Sequence, residues 1–410
     1  MRLIVVGGGA AGFFCAVNAA RLASKLEVII IEKSSKLLSK VRISGGGRCN
    51  LTHNCDDIQV MARRYPRGGN FVKKAFHQFF THDTIEWFES RGVKIKAEED
   101  GRMFPVSDTS QSIIDCLLRE ANKFKVEVRL NREVKHISRA GDQWNLEFTD
   151  DQKMETDFLC LACGGYPKAA MFEWIKSAGH SIEEPVPSLF TFNMPGHTIT
   201  SLMGISVPEA QVKIMGSKLV EKGPMLITHW GLSGPVILRL SAWGARELSL
   251  KQYHFRIMIN WLPAYHEQSL REELVHYRNE HAGHAMQAKN PFGLPHRLWL
   301  YLLQEASIEG GMNWGNLPAA AMNKLVKQVC AFEADIKGKT TFKEEFVTAG
   351  GIKLSEVDAN TMQSRICHGL FFAGEILDVD GITGGYNFQH AWTSGYIAAA
   401  AIAGMVSQEK

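Results

Sequence analysis

The first 32 residues constrain this chain more than any other stretch. Leu3-Ile4-Val5-Val6 is a short, wholly apolar run, the pattern of a parallel strand covered on both faces. It ends directly in Gly7-Gly8-Gly9-Ala10-Ala11-Gly12, which has GxGxxG spacing. In such a turn Gly7 permits the tight reversal, Gly9 lets a pyrophosphate approach the backbone, and Gly12 lets the next helix lie close on the sheet. Phe13 to Ala23 carries Ala16, Ala19, Ala20 and Ala23 at helical spacing, so a helix follows whose first amides can hold phosphate. Glu27 to Ile31 is a second buried strand, and its closing Glu32 stands 20 residues beyond Gly12, where a carboxylate accepts from a ribose hydroxyl. GxGxxG alone marks only a glycine-rich turn. Strand, glycines, helix, strand and acid in this order specify a dinucleotide. Because Glu32 would repel a 2′-phosphate, FAD or NAD is expected rather than NADP, and the unit does not separate those two.

A second glycine-rich segment favours FAD. Lys36 to Asn50 reads as a loop with three successive glycines, Gly45, Gly46 and Gly47, and four cationic side chains. Backbone amides in such a loop can wrap an anion. By itself the segment would pass for an exposed basic loop. Placed just after the ribose acid, it implies a ligand stretched across the sheet, as FAD is. Near the other end, Gly369 to Glu375 reads as strand, glycine, acid, and would set Gly374 and Glu375 beside a polyhydroxyl chain. Asp378 and Asp380 follow, and then Gly381 to Gln389 leads into an Ala-rich helix ending near Val406. A helix start of this kind offers free amides and the positive end of a dipole, which stabilise charge at the N1/C2 edge of a reduced flavin. A plain capped C-terminal helix is the competing reading.

Five motifs together carry a resemblance over essentially the whole chain. They are Gly7-x-Gly9-x-x-Gly12, the run Lys40 to Thr52 with Ser44-Gly45-Gly46-Gly47-Arg48-Cys49-Asn50, Gly101 to Pro105, Thr348-Ala349-Gly350-Gly351, and Gly384-Gly385-Tyr386-Asn387. In these the chain resembles the YhiN/BaiN-like family of bacterial FAD-dependent oxidoreductases, the SGGGRCN run being the most specific part. Met103 stands where relatives often have Val, a packing-level departure. The resemblance implies an α/β fold: a Rossmann-like, two-part FAD-binding domain of the glutathione-reductase type, interrupted by an inserted antiparallel β-barrel and a helical subdomain. It implies FAD as cofactor and a reductase activity, some relatives being assigned to enone-containing steroids. Carried onto this sequence, the cofactor-binding candidates near the N-terminus are Gly7, Gly9, Ala11, Gly12, Glu32 and Lys33, and in the second loop Lys40, Gly45, Gly46, Gly47, Arg48 and Asn50. Val134 is matched to a backbone contact with adenine, and Gly374, Glu375, Gly385, Tyr386, Asn387 and Phe388 complete the set.

The chain's 410 residues suit two or three domains. Residues 1–187 and 342–410 are expected to form the FAD-binding domain, 188–265 the barrel-like insert and 266–341 the helical insert. The barrel is read from short strands such as Leu189 to Met194, Gln211 to Met215 and His254 to Ile259; the helices are Glu267 to His281, Pro295 to Ala306 and Leu317 to Phe332. A net charge of +3, spread thinly, argues against nucleic acid. The eight cysteines form no paired framework, and no signal peptide precedes the first strand, so a reducing cytoplasm is expected. Tyr396 to Val406, the longest apolar stretch, is short of the roughly 20 residues that cross a bilayer, so no membrane partner is expected.

The cysteines and histidines offer other chemistries. Cys49 and Cys55 lie where disulfide reductases carry their redox pair, but with five intervening residues rather than four, and with Cys49 inside the glycine loop. Cys160 and Cys163 have CxxC spacing at the end of a buried strand and read as core. Scattered histidines without HExxH or a second CxxC predict no metal. His229 and Arg102 are candidates for substrate contact, each with a structural alternative. No second GxGxxG follows a strand, so NAD(P)H is expected, if at all, as a transient donor docking against the flavin. The leading reading is a hydride-transferring reductase of a small unsaturated substrate. A dithiol reductase using Cys49 and Cys55, and a flavin-containing RNA-binding or RNA-modifying protein, are the alternatives.

Overall fold

In the computed structural model, which describes residues 1–340 and 347–408, each wholly apolar run near the N-terminus becomes an inner strand of one parallel sheet. β1 (Arg2–Val6) pairs in parallel with β2 (Glu27–Ile31) on one side, Leu3 opposite Val28, and with Phe158–Leu161 on the other, Leu3 opposite Phe158. Leu370–Phe372 and Glu127–Arg129 add the edges, so the five strands are contributed by distant parts of the chain. Apolar residues on both faces demand cover from both sides. On one face α1 (Ala10–Leu22) packs against the C-terminal helix, Tyr386–Gln408. The two helices approach closely because Gly395 lacks a side chain: a Cβ there would lie 2.7 Å from Ala11 O. Phe14 of α1 fills the space beside them, its ring 4.6 Å from Trp87 and 5.2 Å from Trp392.

The Lys36–Asn50 segment, expected as a loop, is partly helical. α2 (Ser39–Gly47) begins as a regular turn and then breaks, Ser44 being extended and Gly45, Gly46 and Gly47 all left-handed, with φ of 59°, 70° and 85°. Lys40, Val41, Arg42 and Ile43 tolerate helix, and only the glycines take the backbone out of it at low cost. β3 (Thr52–His53) follows and joins a small antiparallel sheet with Arg102–Pro105 and Ile95–Ala97.

The chain divides into two compact units, Met1–Ser188 with Phe342–Lys410, and Leu189–Thr341. The expected boundary between 341 and 342 lies outside the described residues. The second unit holds a seven-stranded antiparallel sheet whose outermost strands are Phe332–Lys337 and Lys339–Thr340. Helices Glu267–Glu280, His296–Glu305 and Ala319–Cys330 share one core with it, built around Phe192, Trp261, Trp299 and Trp314.

Candidate cofactor site

The turn after β1 separates two kinds of glycine. A Cβ on Gly7, whose φ is +118°, would stand 2.3 Å from Ala162 O, and one on Gly12 would stand 1.9 Å from Gly7 O. These two are needed by the protein's own packing. A Cβ on Gly9 would meet nothing within 4 Å. The space over Gly9 is therefore left for something other than protein, and the first-turn amides of α1, which have no intrahelical acceptor, face that end of the helix. Glu32 is set by its neighbours: Oε2 accepts from Gly8 N–H at 2.8 Å, and Oε1 from the Ser34 N–H and hydroxyl, each at 2.8 Å. An ionised carboxylate has about four acceptor positions, so it can still take a ligand hydroxyl. Arg132 N–H donates to Glu32 O at 3.0 Å, which brings the segment leading to Val134 alongside. The Lys33 ammonium lies 5.5 Å from the centroid of the Tyr166 ring.

The second glycine segment is pinned from outside. Arg48 donates to Glu98 at 2.6 Å, lies 3.6 Å from Asp108, and stacks its guanidinium 4.0 Å from the Phe104 ring centroid. Arg102 pairs with Asp100 at 2.7 Å and with Glu98 at 2.9 Å. Cations that looked available to an anion in the sequence are thus engaged by carboxylates. Gly46 and Gly47, like Gly9, have open space where a Cβ would be. Cys49 is fully buried, and burial pushes its thiol up to about 12. Cys55 Sγ is instead directed to Asp57 O, at 3.3 Å.

This segment meets the C-terminal end of the chain at several points. Lys40 forms an ion pair with Glu375, whose Oε1 also accepts from Thr348 N–H at 2.9 Å. Asn50 donates through Nδ2 to Thr52 O at 3.0 Å while its Oδ1 accepts from Gly385 N–H at 3.0 Å. Thr52 hydroxyl donates to Gln389 at 2.6 Å, and Trp392 Nε1–H donates to Leu51 O at 2.9 Å. Gly384 and Gly385 are left-handed, and a Cβ on Gly385 would lie 2.4 Å from Thr52 O. Asn387 closes the turn, accepting from Gly381 N–H and donating to Gly381 O, at 2.8 and 2.9 Å. Tyr386 is nearly buried, its backbone O accepting from Tyr65 hydroxyl at 2.6 Å, and Phe388 stacks on Trp392.

His390, Ser394 and Arg67 were not singled out in the sequence, although they hold residues that were. Gly374, left-handed at φ +76°, is held from both sides: its N–H donates to Ser394 Oγ at 2.8 Å and its O pairs with His390 Nε2 at 3.2 Å. Burial lowers His390 to about 4. His390 and Ser394 lie four apart on a helix, a spacing legible in retrospect. Arg67 pairs with the buried Asp380, which also accepts from Ser188 hydroxyl at 2.7 Å. No local pattern announces a pairing across 313 residues. Cys160 is buried against Cys15, and Cys163 is pushed by burial up to about 11, so neither stands out as a reactive thiolate. Among the described residues, no three His, Cys, Asp or Glu side chains are grouped to hold a metal ion, and no helix is long and apolar enough to cross a membrane.

A parallel sheet, a strand-to-helix glycine turn backed by a placed carboxylate, a second open glycine loop, and a distant Glu and helix start converging on it fit an extended FAD. The molecule is a Rossmann-type, FAD-dependent oxidoreductase. It belongs to the family described as the HI0933-like protein Rossmann domain, whose model matches residues 1–401. The resemblance drawn from the SGGGRCN run is borne out. The 3-dehydro-bile acid delta(4,6)-reductase of Clostridium scindens is 28% identical over 410 residues, covering 98% of this chain and 99% of its own length. The ribosomal RNA dihydrouridine synthase of Haemophilus influenzae is 27% identical over 411 residues, 97% of this chain and 98% of its own length. Among solved structures, 3-ketosteroid-delta4-(5alpha)-dehydrogenase of Rhodococcus jostii shares the fold with a TM-score of 0.52 at 12% identity, over 98% of this chain and 96% of that one.

Proposed function

We propose that this chain reduces a carbon–carbon double bond conjugated to a carbonyl in a small, enone-type substrate. The observation that supports it most is full-length similarity to a relative named for a delta(4,6)-reduction of a 3-dehydro compound, in which the double bonds are conjugated with a ketone. When bound, FAD supplies hydride from N5. The protein's part is to bind and orient. Glu32 takes ribose hydroxyls, Gly9, Gly46 and Gly47 leave room for phosphate and ring, and Glu375, steered by Lys40 and Thr348, takes the polyhydroxyl chain. The amides at the start of the C-terminal helix stabilise negative charge developing near them. NADH or NADPH serves as a transient reductant, and the eight free cysteines suit a reducing, cytoplasmic setting.

A second reading has its own support. The relative named for dihydrouridine synthesis also saturates a double bond conjugated with a carbonyl, in RNA. Residues 189–341 carry fifteen Lys and Arg against eleven Asp and Glu, so the chain's positive excess resides in the second unit. The dithiol alternative is disfavoured by the buried, protonated Cys49. Mixing the yellow protein anaerobically with NADH or NADPH should bleach the flavin band. Reoxidation by a conjugated enone then supports the first reading, and reoxidation only by uridine-containing ribosomal RNA replaces it with the second. Cys55→Ser should leave turnover within about twofold; loss of turnover would restore the dithiol.

A further inference from the structure

We infer that His53 is a positioning and charge-compensating residue, which takes up one proton when the flavin held at the start of the C-terminal helix is reduced. The inference rests on the cofactor placement proposed above and deepens it.

His53 ends β3, the strand that carries the glycine segment to the C-terminal turn. Its Nδ1 lies 3.1 Å from Gly384 O, an acceptor, so Nδ1 bears the hydrogen and Nε2 the lone pair. The ring stacks on Tyr386, centroids 4.9 Å apart at 25°, and Tyr386 is the first residue of the C-terminal helix. Nε2 looks toward Gly101, where a Cβ would come to 2.7 Å. Only a glycine lets that turn pack so close to the ring edge, and the His53 side chain stays half-buried, within reach of the solvent that delivers a proton. An imidazole is thus fixed one residue from the amides assigned to negative charge, with its basic nitrogen on the far side.

The charges around it are balanced. Burial is the largest influence and keeps the ring neutral; Gly384 O and Asp100 favour the proton, while Arg64 and Arg102 oppose it. Arg102 is itself paired with Asp100 and Glu98, and burial holds the Tyr65 hydroxyl on the helix side well above its ordinary value, so it stays uncharged. One added negative charge at the helix start therefore tips the ring toward imidazolium. The balance is simple. Hydride brings two electrons and one proton and leaves the isoalloxazine negative, and His53 draws one further proton from solvent. The reduced protein then stores the hydride and the proton that saturation of one double bond consumes.

The test is the midpoint potential of the FAD-loaded protein from pH 5 to 9, for wild type, His53→Gln and His53→Asn. Asn keeps a donor near the position of Nδ1 and cannot titrate, so it tests the proton even if Gln disturbs the turn. Between the pKa of His53 in the oxidised and in the reduced protein, wild type should lose an additional tenfold in reduction equilibrium per pH unit, about 30 mV for a two-electron couple. Both variants should lack that additional slope while retaining FAD. Coincident profiles in wild type and His53→Asn would overturn the inference and leave the cofactor reading standing. Wild-type protein that binds no FAD would overturn both.

Discussion

At the residue scale, the glycines show how backbone space is divided between protein and ligand. Gly9 and Gly12 are three apart in one turn, yet the structure asks different things of them. Gly12→Ala places a methyl 1.9 Å from Gly7 O, which the backbone must move to accept. A loss of about 1–3 kcal/mol is expected, read as a lower denaturation midpoint of the FAD-free protein. Gly9→Val intrudes only on the open side. It should leave the FAD-free midpoint nearly unchanged while weakening FAD binding by at least tenfold, about 1.4 kcal/mol, in a fluorescence titration. His390 offers a pH prediction. Its folded pKa, about 4, lies below the ordinary histidine value, so between roughly pH 6.5 and 4 the unfolded chain binds a proton that the native chain does not. The contribution is complete above pH 6.5 and is lost as pH falls toward 4, a total on the order of 3 kcal/mol. His390→Gln, which keeps a donor for Gly374 O, should show a correspondingly flatter stability curve in acid denaturant titrations.

At the element scale, the seam between α1 and the C-terminal helix decides whether the two halves of the site meet. Gly395 faces Ala11 O at that seam, whereas Gly404, further along the same helix, has nothing within 4 Å of its missing Cβ. Gly395→Val should therefore lower both thermal stability and FAD affinity, because the first turns of both helices must shift. Gly404→Ala should raise stability by about 0.5–1 kcal/mol through helix propensity and leave FAD binding alone. The elements flanking this seam were legible because their signals are local: apolar runs for β1 and β2, spaced glycines, an Ala-rich helix. The helical turn inside Lys36–Asn50 was not, since the three glycines masked the helix-compatible Lys40 to Ile43 before them. Arg67 and His53 were missed for a different reason. Each owes its role to a partner hundreds of residues away, 313 for Arg67 and 331 for His53, and neither spacing nor residue type encodes that meeting.

At the scale of the whole molecule, the parallel sheet is assembled from both ends of the chain. Leu370–Phe372 pairs with Phe158–Leu161, which pairs with β1. A chain cut after Ser364 keeps the GxGxxG turn, Glu32 and the glycine segment but lacks Glu375, the edge strand and the last helix. It should retain no FAD through gel filtration and should be cleaved by protease far faster than the full-length protein.

The same pairing has a bearing on synthesis. Lys40 leaves the ribosome 335 residues before its partner Glu375. Until Glu375 and the strand and helix beside it are made, the nascent chain therefore displays the first glycine turn with an uncovered sheet edge, a state open to mispairing. Coenzyme capture has to wait for those later residues, and a bound flavin then acts as a seal between two stretches synthesised far apart in time.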